Sequence, residues 1–174
     1  DLSAIRPMIA LPMHPSNAFT NEELNANLED ILHACEQDVQ KLIGRKDVSL
    51  DLCSKIENGK LRVDQGVIAG CAGGLYDSIY EAASILKGHT GGCGDYALSV
   101  YPGSQPIMME LVRTGVISDL MASGATIRTA FCGPCFGAGD VPANGALSIR
   151  HTTRNFPSRE GSKPGNGQRS EERR

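Results

Sequence analysis

The sequence predicts an α/β fold with three layers, α/β/α, around a mainly parallel sheet. Short apolar runs alternate with segments of helical periodicity, and glycine-containing turns separate one element from the next. The 174 residues, 40% of them hydrophobic, suit one domain with a buried core. The chain has 20 glycines and no tryptophan, which favours tight turns and close approaches between backbone segments.

The first predicted elements are a short strand and a helix. Residues 7–13 form an apolar, proline-containing segment that suits one short strand or an extended arm. Thr20 and Glu23 have the spacing of a capping box, and apolar residues recur behind them at helical spacing as far as Ile43. Gly44 can end this helix.

Two cysteines in this first part of the chain carry no predicted chemistry. Cys35 lies on the apolar face of the helix, which indicates a small core residue. Cys53 lies in residues 45–63, a mixed and polar stretch with a turn signal at Asn58-Gly59. Since Cys53 has no ligand-like neighbour in the sequence, we assign it no role.

A strand, a turn and a helix are predicted over residues 66–86. The apolar run 66–71 ends in Cys71, and Ala72-Gly73-Gly74 leads into a helical pattern that begins at Leu75. This puts Cys71 at the carboxyl end of a strand, which is where ligands bind in open α/β sheets.

Three further strands are predicted, at residues 96–101, 125–131 and 146–151. Between the first two lie a helix whose N-cap is Ser104 and a shorter helix at residues 116–122. The alternation of strands and helices favours a parallel sheet covered on both faces.

The strand at 125–131 leads into the pair Cys132 and Cys135, which lie three apart in a glycine- and proline-containing turn. Such a pair suits thiolates that share a soft metal, but it is also typical of a redox pair, half of a zinc site or two buried thiols. Cys71 occupies an equivalent position at a strand end. Three thiolates are one short of the usual ligand set of a cluster, which would leave one metal open to substrate.

Composition excludes several classes of function. The net charge of −3 provides no basic surface for nucleic acid or anionic membranes. No signal peptide or membrane-spanning apolar run is present, so we expect a cytoplasmic protein in which a disulfide framework is disfavoured and the paired cysteines bind a metal or cluster. Because the chain begins at Asp1, we expect a piece of a longer protein.

Four ordered motifs carry a resemblance to a known family. They are Gly70-Cys71, the run 101–104 (Tyr-Pro-Gly-Ser), the run 132–137 (Cys-Gly-Pro-Cys-Phe-Gly) and the run 154–156 (Arg-Asn-Phe). In order and spacing the chain resembles the iron–sulfur domain of the aconitase superfamily, which includes aconitases, isopropylmalate dehydratases and homoaconitase-like hydratases. The resemblance assigns this domain to residues 1–160.

The resemblance implies a site and an activity. Cys71, Cys132 and Cys135 would hold a 4Fe–4S cluster, and Arg154 and Arg159 would contact the carboxylates of the substrate. The implied reaction is the reversible dehydration of a hydroxy-polycarboxylic acid. In the family the catalytic base lies on a separate domain, so no catalytic residue is expected in this chain, and by itself it should fold without catalysing.

The sequence also departs from the family pattern. The family's serine before the first cluster cysteine is Gly70, its Thr-Asn after that cysteine is Ala72-Gly73, and Thr153 and Ser158 replace an asparagine and a glycine beside the arginines. Fewer polar groups near the cluster indicate a divergent subgroup, so neither citrate nor isocitrate is assumed as the substrate.

Two alternatives remain open. The domain could carry a labile cluster as an iron or oxygen sensor without catalysis, although its acidic balance argues against RNA binding. A structural zinc site would need His89 or Cys93, from the glycine-rich loop 88–94, as a fourth ligand. Cys93 as a fourth cluster ligand would instead close the open iron. Residues 161–174 are polar and glycine-rich, and we expect them to lie outside the packed domain, disordered or truncated.

Overall fold

The computed structural model of this chain describes residues 1–12, 14–44, 49–91, 94–143 and 145–152. The α-helices are α1 (Asn21–Ala26), α2 (Leu28–Ile43), α3 (Gly70–Gly73), α4 (Tyr76–Leu86), α5 (Gln105–Arg113) and α6 (Val116–Ala122). The strands are β1 (Met8–Ala10), β2 (Ala18–Thr20), β3 (Ile56–Glu57), β4 (Lys60–Leu61), β5 (Gln65–Ile68), β6 (Ala97–Val100), β7 (Thr126–Ile127) and β8 (Ser148–His151). Within these described ranges, three short 3-10 helices cover Leu2–Ala4, Cys53–Lys55 and Gly133–Phe136.

The central sheet of the described residues has four parallel strands in the order β7-β6-β5-β8. Ile68 at the end of β5 is level with Val100 of β6 and His151 of β8, and Val100 is level with Ile127 of β7. The strands therefore end together at one side of the sheet, which we call the carboxyl edge. The predicted α/β fold with a mainly parallel sheet is confirmed.

Helices α4, α5 and α6 pack on one face of this sheet. The strands contribute Ile68, Val100 and Ile127, and the helices contribute side chains that are completely buried, among them Ile79 and Leu111. Burial of such apolar surface is the main favourable term in folding. We call this group the sheet core. The predicted helix at 116–122 has the predicted bounds, and Ser104 accepts a hydrogen bond from the Ile107 amide as N-cap of α5.

The opposite face of the sheet is more polar and is contacted by the segment 133–140. Val67 of β5 is level with Ser99 of β6 and Arg150 of β8, so the three side chains share this face. Arg150 donates hydrogen bonds to backbone carbonyls at both ends of the segment 133–140. A loop, rather than an α-helix, therefore covers this part of the face.

A separate N-terminal core lies around α1 and α2. Leu32 and Cys35 of α2 pack there against Leu52, and all three are at most 2% exposed. The predictions for Cys35 and for the capping box of Thr20 and Glu23 are confirmed. The position of Cys35 follows from its place on the buried stripe of an amphipathic helix.

The helix predicted to run to Ile43 is divided into α1 and α2. Asn27 has φ −132° and ψ 41°, outside the helical region, and it caps both helices. Its short polar side chain makes a departure from helical geometry inexpensive. Gly44 ends α2 in the left-handed conformation, with φ 64°, as predicted.

The four strands predicted for the sheet are all shorter than expected, and those predicted at 96–101 and 146–151 cover Ala97–Val100 and Ser148–His151. The strand predicted at 125–131 is reduced to β7, because β7 is an edge strand and the Arg128 amide makes its last hydrogen bond to the sheet, with the Val100 carbonyl. The strand predicted at 66–71 ends at Ile68, and Cys71 lies in α3. Asn58 and Gly59, with positive φ values, form the turn between β3 and β4.

Asp64 joins the β3–β4 hairpin to the strand β8. Its carboxylate accepts hydrogen bonds from the Lys55 Nζ and from the Leu147 amide, both at 2.7 Å, and from Arg62 at 3.0 Å. Burial by itself would raise the pKa of Asp64, but the hydrogen bond from Lys55 and the other donors lower it below its ordinary value. No described helix is both long enough and apolar enough to span a membrane.

We predict that Asp64→Asn lowers the free energy of unfolding by about 2 kcal/mol at neutral pH, because the amide accepts weaker hydrogen bonds and cannot pair with Lys55. Since the folded-state pKa of Asp64 lies below its ordinary value of about 4, the stabilisation is present above about pH 4 and is lost progressively as the pH falls below it. Urea unfolding of both proteins between pH 7 and pH 3 measures this difference. Asp38→Asn, which removes an exposed ion pair to Lys41, is the control and should change little.

Candidate functional site

The three cysteines singled out in the sequence all follow strands at the carboxyl edge. Cys71 lies in α3, which begins two residues after β5. Cys132 and Cys135 lie at the 3-10 helix Gly133–Phe136, on the segment that follows β7. The side chains of Cys71 and Cys132 are exposed, whereas Cys135 is buried and 6% exposed. The edge of the sheet thus presents two accessible thiols and one enclosed thiol.

The turn that carries Cys71 is packed closely against the ends of the neighbouring strands. The Gly103 amide, just after β6, donates a hydrogen bond to the Gly74 carbonyl at 2.7 Å. A Cβ atom on Gly73 would lie 2.0 Å from the backbone carbonyl oxygen of His151, at the end of β8. Only glycine permits such an approach between backbones. The position of Cys71 is therefore fixed from both sides of β5.

The turn that carries the other two cysteines is closed by its own backbone. The Cys135 amide donates to the Cys132 carbonyl at 3.1 Å, and the Ala138 amide donates to the Gly133 carbonyl at 2.9 Å. Gly137 follows in the left-handed conformation, with φ 84°. This geometry needs a residue without a Cβ atom at the end of the turn, as the sequence provides.

Arg150 of β8 attaches this cysteine turn to the sheet. Its Nη1 donates to the carbonyl of Pro134 at 2.9 Å, and its Nη2 donates to the carbonyl of Asp140. The guanidinium also donates to Gln65 Oε1 at 3.2 Å and to Ser148 Oγ at 3.1 Å, both on strands. Charge-assisted hydrogen bonds of this kind are stronger than neutral ones. One side chain therefore holds the cysteine turn and the end of the following loop against the sheet.

A second group of contacts holds the end of that loop. The hydroxyl of Tyr101, which follows β6, donates to Asp140, and Arg128 lies 3.5 Å from the same carboxylate. Burial and the hydrogen bond to Asp140 raise the pKa of Tyr101 to about 12, so the hydroxyl stays protonated and remains a donor at neutral pH. The carboxylate of Asp140 is thereby engaged in positioning the loop.

The sequence analysis missed Arg150 and Asp140, and it gave Tyr101 no role beyond its place in the 101–104 motif. A signal for Arg150 was present, since no other Asp, Glu, Lys or Arg lies in the predicted strand 146–151. A charge in a strand expected to be buried needs partners. The sequence did not identify those partners, because Pro134 and Asp140 contribute backbone carbonyls that every residue type carries.

Two aromatic rings flank the cysteine turn at the surface. Phe131 and Phe136 are 53% and 54% exposed, and their rings meet edge to face with centroids 6.3 Å apart. Exposed apolar surface of this kind is common where another protein segment packs. The exposed thiol of Cys132 lies directly after Phe131 in this apolar surface.

The remaining predicted site residues fall elsewhere. Arg154, Arg159 and Cys93 lie outside the described residues, as does the predicted tail 161–174. His89 is exposed on the loop after α4. The three predicted cluster cysteines therefore follow strands that end at one edge of the sheet, and their role as ligands, like that of the two arginines in substrate binding, stays a prediction.

Comparisons with known proteins agree with this architecture. A family model described as the aconitase family (aconitate hydratase) matches residues 1–168. The chain is 31% identical over 147 residues to the 3-isopropylmalate dehydratase large subunit of Caldanaerobacter subterraneus subsp. tengcongensis, an alignment that covers 82% of this chain and 34% of that protein. It is 30% identical over 165 residues to the large subunit of the same name from Moorella thermoacetica, which covers 92% of this chain and 30% of that protein.

A shorter alignment with higher identity is found with a protein of Thermoanaerobacter pseudethanolicus. Its 3-isopropylmalate dehydratase large subunit is 37% identical over 109 residues, which cover 60% of this chain and 25% of that protein. The chain thus spans about a third or less of the length of these curated relatives.

We predict that Gly74→Ala destabilises the fold by about 2 kcal/mol, in the range typical of added volume in a packed site. The new Cβ atom would lie 2.6 Å from the Gly70 carbonyl oxygen and 2.7 Å from the Gly103 nitrogen, and backbone atoms cannot move aside cheaply. Denaturant unfolding measures the effect. Gly91→Ala is the control, because its nearest neighbour is the ring of Tyr96, which can rotate. Equal midpoints for the two variants would contradict the role given to Gly74.

We predict that Arg150→Met exposes the buried thiol of Cys135. Loss of about 2 kcal/mol of charge-assisted hydrogen bonding should raise the open fraction of the turn, and with it the labelling rate of Cys135, about thirtyfold. Thiol labelling of the native protein, followed by mass spectrometry of each cysteine peptide, measures the rate. Arg128→Met, which removes one exposed contact at 3.5 Å, is the control. The same slow labelling in both variants would show that Arg150 does not hold the turn.

Proposed function

This chain belongs to the aconitase family, and we propose that it forms the cluster-bearing part of a hydro-lyase that adds or removes water at a hydroxy-polycarboxylic acid. The observation that carries the proposal is the position of the cysteines. Cys71, Cys132 and Cys135 follow parallel strands at one carboxyl edge, within the stretch that the family model matches. Ligand sites of open α/β sheets lie at this edge.

The donor set fits a 4Fe–4S cluster. Cysteine thiolates are the usual protein ligands of such clusters, and Cys71 and Cys132 present exposed thiols that cluster iron could reach. Cys135, although buried, lies on the same short turn as Cys132. We therefore propose that these three cysteines hold the cluster and that one iron is left without a protein ligand.

The other residues of the edge would keep this ligand set in place. Arg150 binds the backbone within the Cys132–Cys135 turn, and Gly73 and Gly74 allow the turn with Cys71 to lie against β8 and β6. A preorganised ligand set loses less conformational entropy when it binds. Asp140 already accepts from Tyr101 and lies beside Arg128, so we assign it no proton transfer.

The bound cluster would supply a Lewis acid that stabilises the hydroxide leaving the substrate. By resemblance to the family, we propose that Arg154 and Arg159 bind the substrate carboxylates, since a guanidinium can hold a carboxylate through two hydrogen bonds. The relatives are named for 3-isopropylmalate, which favours a substrate of that class.

We also propose that the chain needs a further protein part for catalysis. The relatives are named large subunits, and this chain matches about a third or less of their length, so a small subunit or other domains would contribute the remaining groups. The exposed Phe131 and Phe136 provide apolar surface beside the cysteines for such a contact. By itself the chain should bind the cluster but not turn over the substrate.

We predict that anaerobic reconstitution with iron and sulfide gives broad visible absorbance and about four irons per chain. Cys71→Ser and Cys135→Ser should each lose most of both signals, because each removes one of three ligands. Cys35→Ala is the control, as a cysteine of the N-terminal core that is not at the carboxyl edge, and it should bind iron like the unaltered chain.

Two results would contradict the proposal. Equal iron binding by all three variants would exclude these cysteines as ligands, and no cluster in the unaltered chain would remove the basis for a Lewis-acid reaction here. Formation of an unsaturated acid from 3-isopropylmalate by the reconstituted chain would instead overturn only the requirement for a further protein part.

A further inference from the structure

We propose that His33, Glu36 and Cys53 form a binding site for a divalent transition metal such as Zn²⁺. The site lies between α2 and the 3-10 helix Cys53–Lys55, in the N-terminal half of the chain. One ligand atom from each residue, a ring nitrogen, a carboxylate oxygen and the sulfur, lie within 4.8 Å of one another. None of these residues belongs to the carboxyl edge, so the inference does not depend on the proposed function.

Glu36 provides a fixed carboxylate. Its Oε1 accepts hydrogen bonds from the backbone amides of Leu52 and Cys53, the latter at 2.9 Å, and its side chain is only 18% exposed. These bonds orient the carboxylate so that its other oxygen, Oε2, lies 3.8 Å from His33 Nδ1. That separation is too long for a good hydrogen bond, but it suits two atoms that bind one metal ion.

His33 provides a nitrogen ligand whose ring already has a second partner. His33 and Glu36 are three residues apart on α2, so both lie on the same face of the helix. The other ring nitrogen, Nε2, lies 2.9 Å from the side-chain amide of Gln37. With metal on Nδ1, Nε2 would carry the proton, and the Gln37 amide would turn its oxygen to accept it. Such a partner fixes the orientation of a metal-binding imidazole.

Cys53 provides the third ligand, from the 3-10 helix that contacts α2. The backbone bonds from Leu52 and Cys53 to Glu36 hold the start of the 3-10 helix against α2, and the sulfur lies 3.9 Å from the Glu29 carbonyl. In a tetrahedral zinc site, neighbouring ligand atoms are about 3.3–3.8 Å apart. The observed spacing of up to 4.8 Å therefore needs only small side-chain rotations to close on a metal.

The charges around the sulfur favour a cation. The carboxylates of Glu36, Glu29 and Asp51 place negative charge near the Cys53 sulfur. The same negative potential attracts a divalent ion, whose binding would displace the thiol proton to solvent and leave the thiolate on the metal. The side chain of His33 is 65% exposed, so water can fill the fourth position.

A cobalt and zinc titration of the chain tests the proposal. Co²⁺ is the probe, because a bound thiolate gives a near-ultraviolet charge-transfer band, and Zn²⁺ should displace it. The titration is first made in Cys71→Ser/Cys132→Ser/Cys135→Ser, which lacks the thiols of the carboxyl edge. We expect one metal per chain in this variant, with Cys53→Ala abolishing the band and His33→Gln weakening binding roughly tenfold or more.

Controls separate this site from other metal binding. His89→Gln removes another exposed histidine and should leave the affinity unchanged. If the triple variant does not fold, the same two substitutions in the otherwise unaltered chain should each lower the bound metal by one equivalent at low metal concentration. No binding by a folded triple variant, or binding that Cys53→Ala and His33→Gln leave unchanged, would overturn the proposal and leave Glu36 as a cap of the 3-10 helix only.

Discussion

The pairing of β5 with β6 on one side and β8 on the other determines where the candidate site lies. Because the strands are parallel and in register at Ile68, Val100 and His151, the segments that leave them emerge at the same edge. A one-residue shift of register would move every side chain of a strand to the other face. Arg150 would then point into the sheet core instead of towards the cysteine turn.

The two cysteine-bearing segments are attached to the same sheet in different ways. The turn with Cys71 is held by backbone contacts to β6 and β8, whereas the turn with Cys132 and Cys135 is held by the Arg150 side chain. A half-buried guanidinium is stable only with several acceptors. The segment 133–140 supplies two of them, so the charge and the loop depend on each other.

The N-terminal core lies beside a different candidate site from that of the carboxyl edge. Asp64 and Leu147 connect it to the start of β8, and Glu36 caps the 3-10 helix that carries Cys53. The metal site that we infer lies in this half of the chain, where a bound ion would join α2 to the segment at residue 53. It would stabilise the scaffold, whereas the cysteines of the carboxyl edge serve the proposed chemistry.

Local signals in the sequence account for the motifs and for the order of the helices and strands around the central sheet. Helical periodicity, the Thr20 capping box and the glycines that end helices are local signals, and they predicted the α/β order and that Cys71 and Cys132 follow strands, although both strands end several residues earlier. Only the tertiary structure determined which residues from distant parts of the chain are in contact. It shortened the strand at 125–131, because an edge strand has one partner, and it gave Arg150 its backbone acceptors. It also placed Cys53 beside a histidine and a glutamate on another element. Contacts between residues far apart in the chain leave no periodic pattern in the sequence, so only the fold could reveal them.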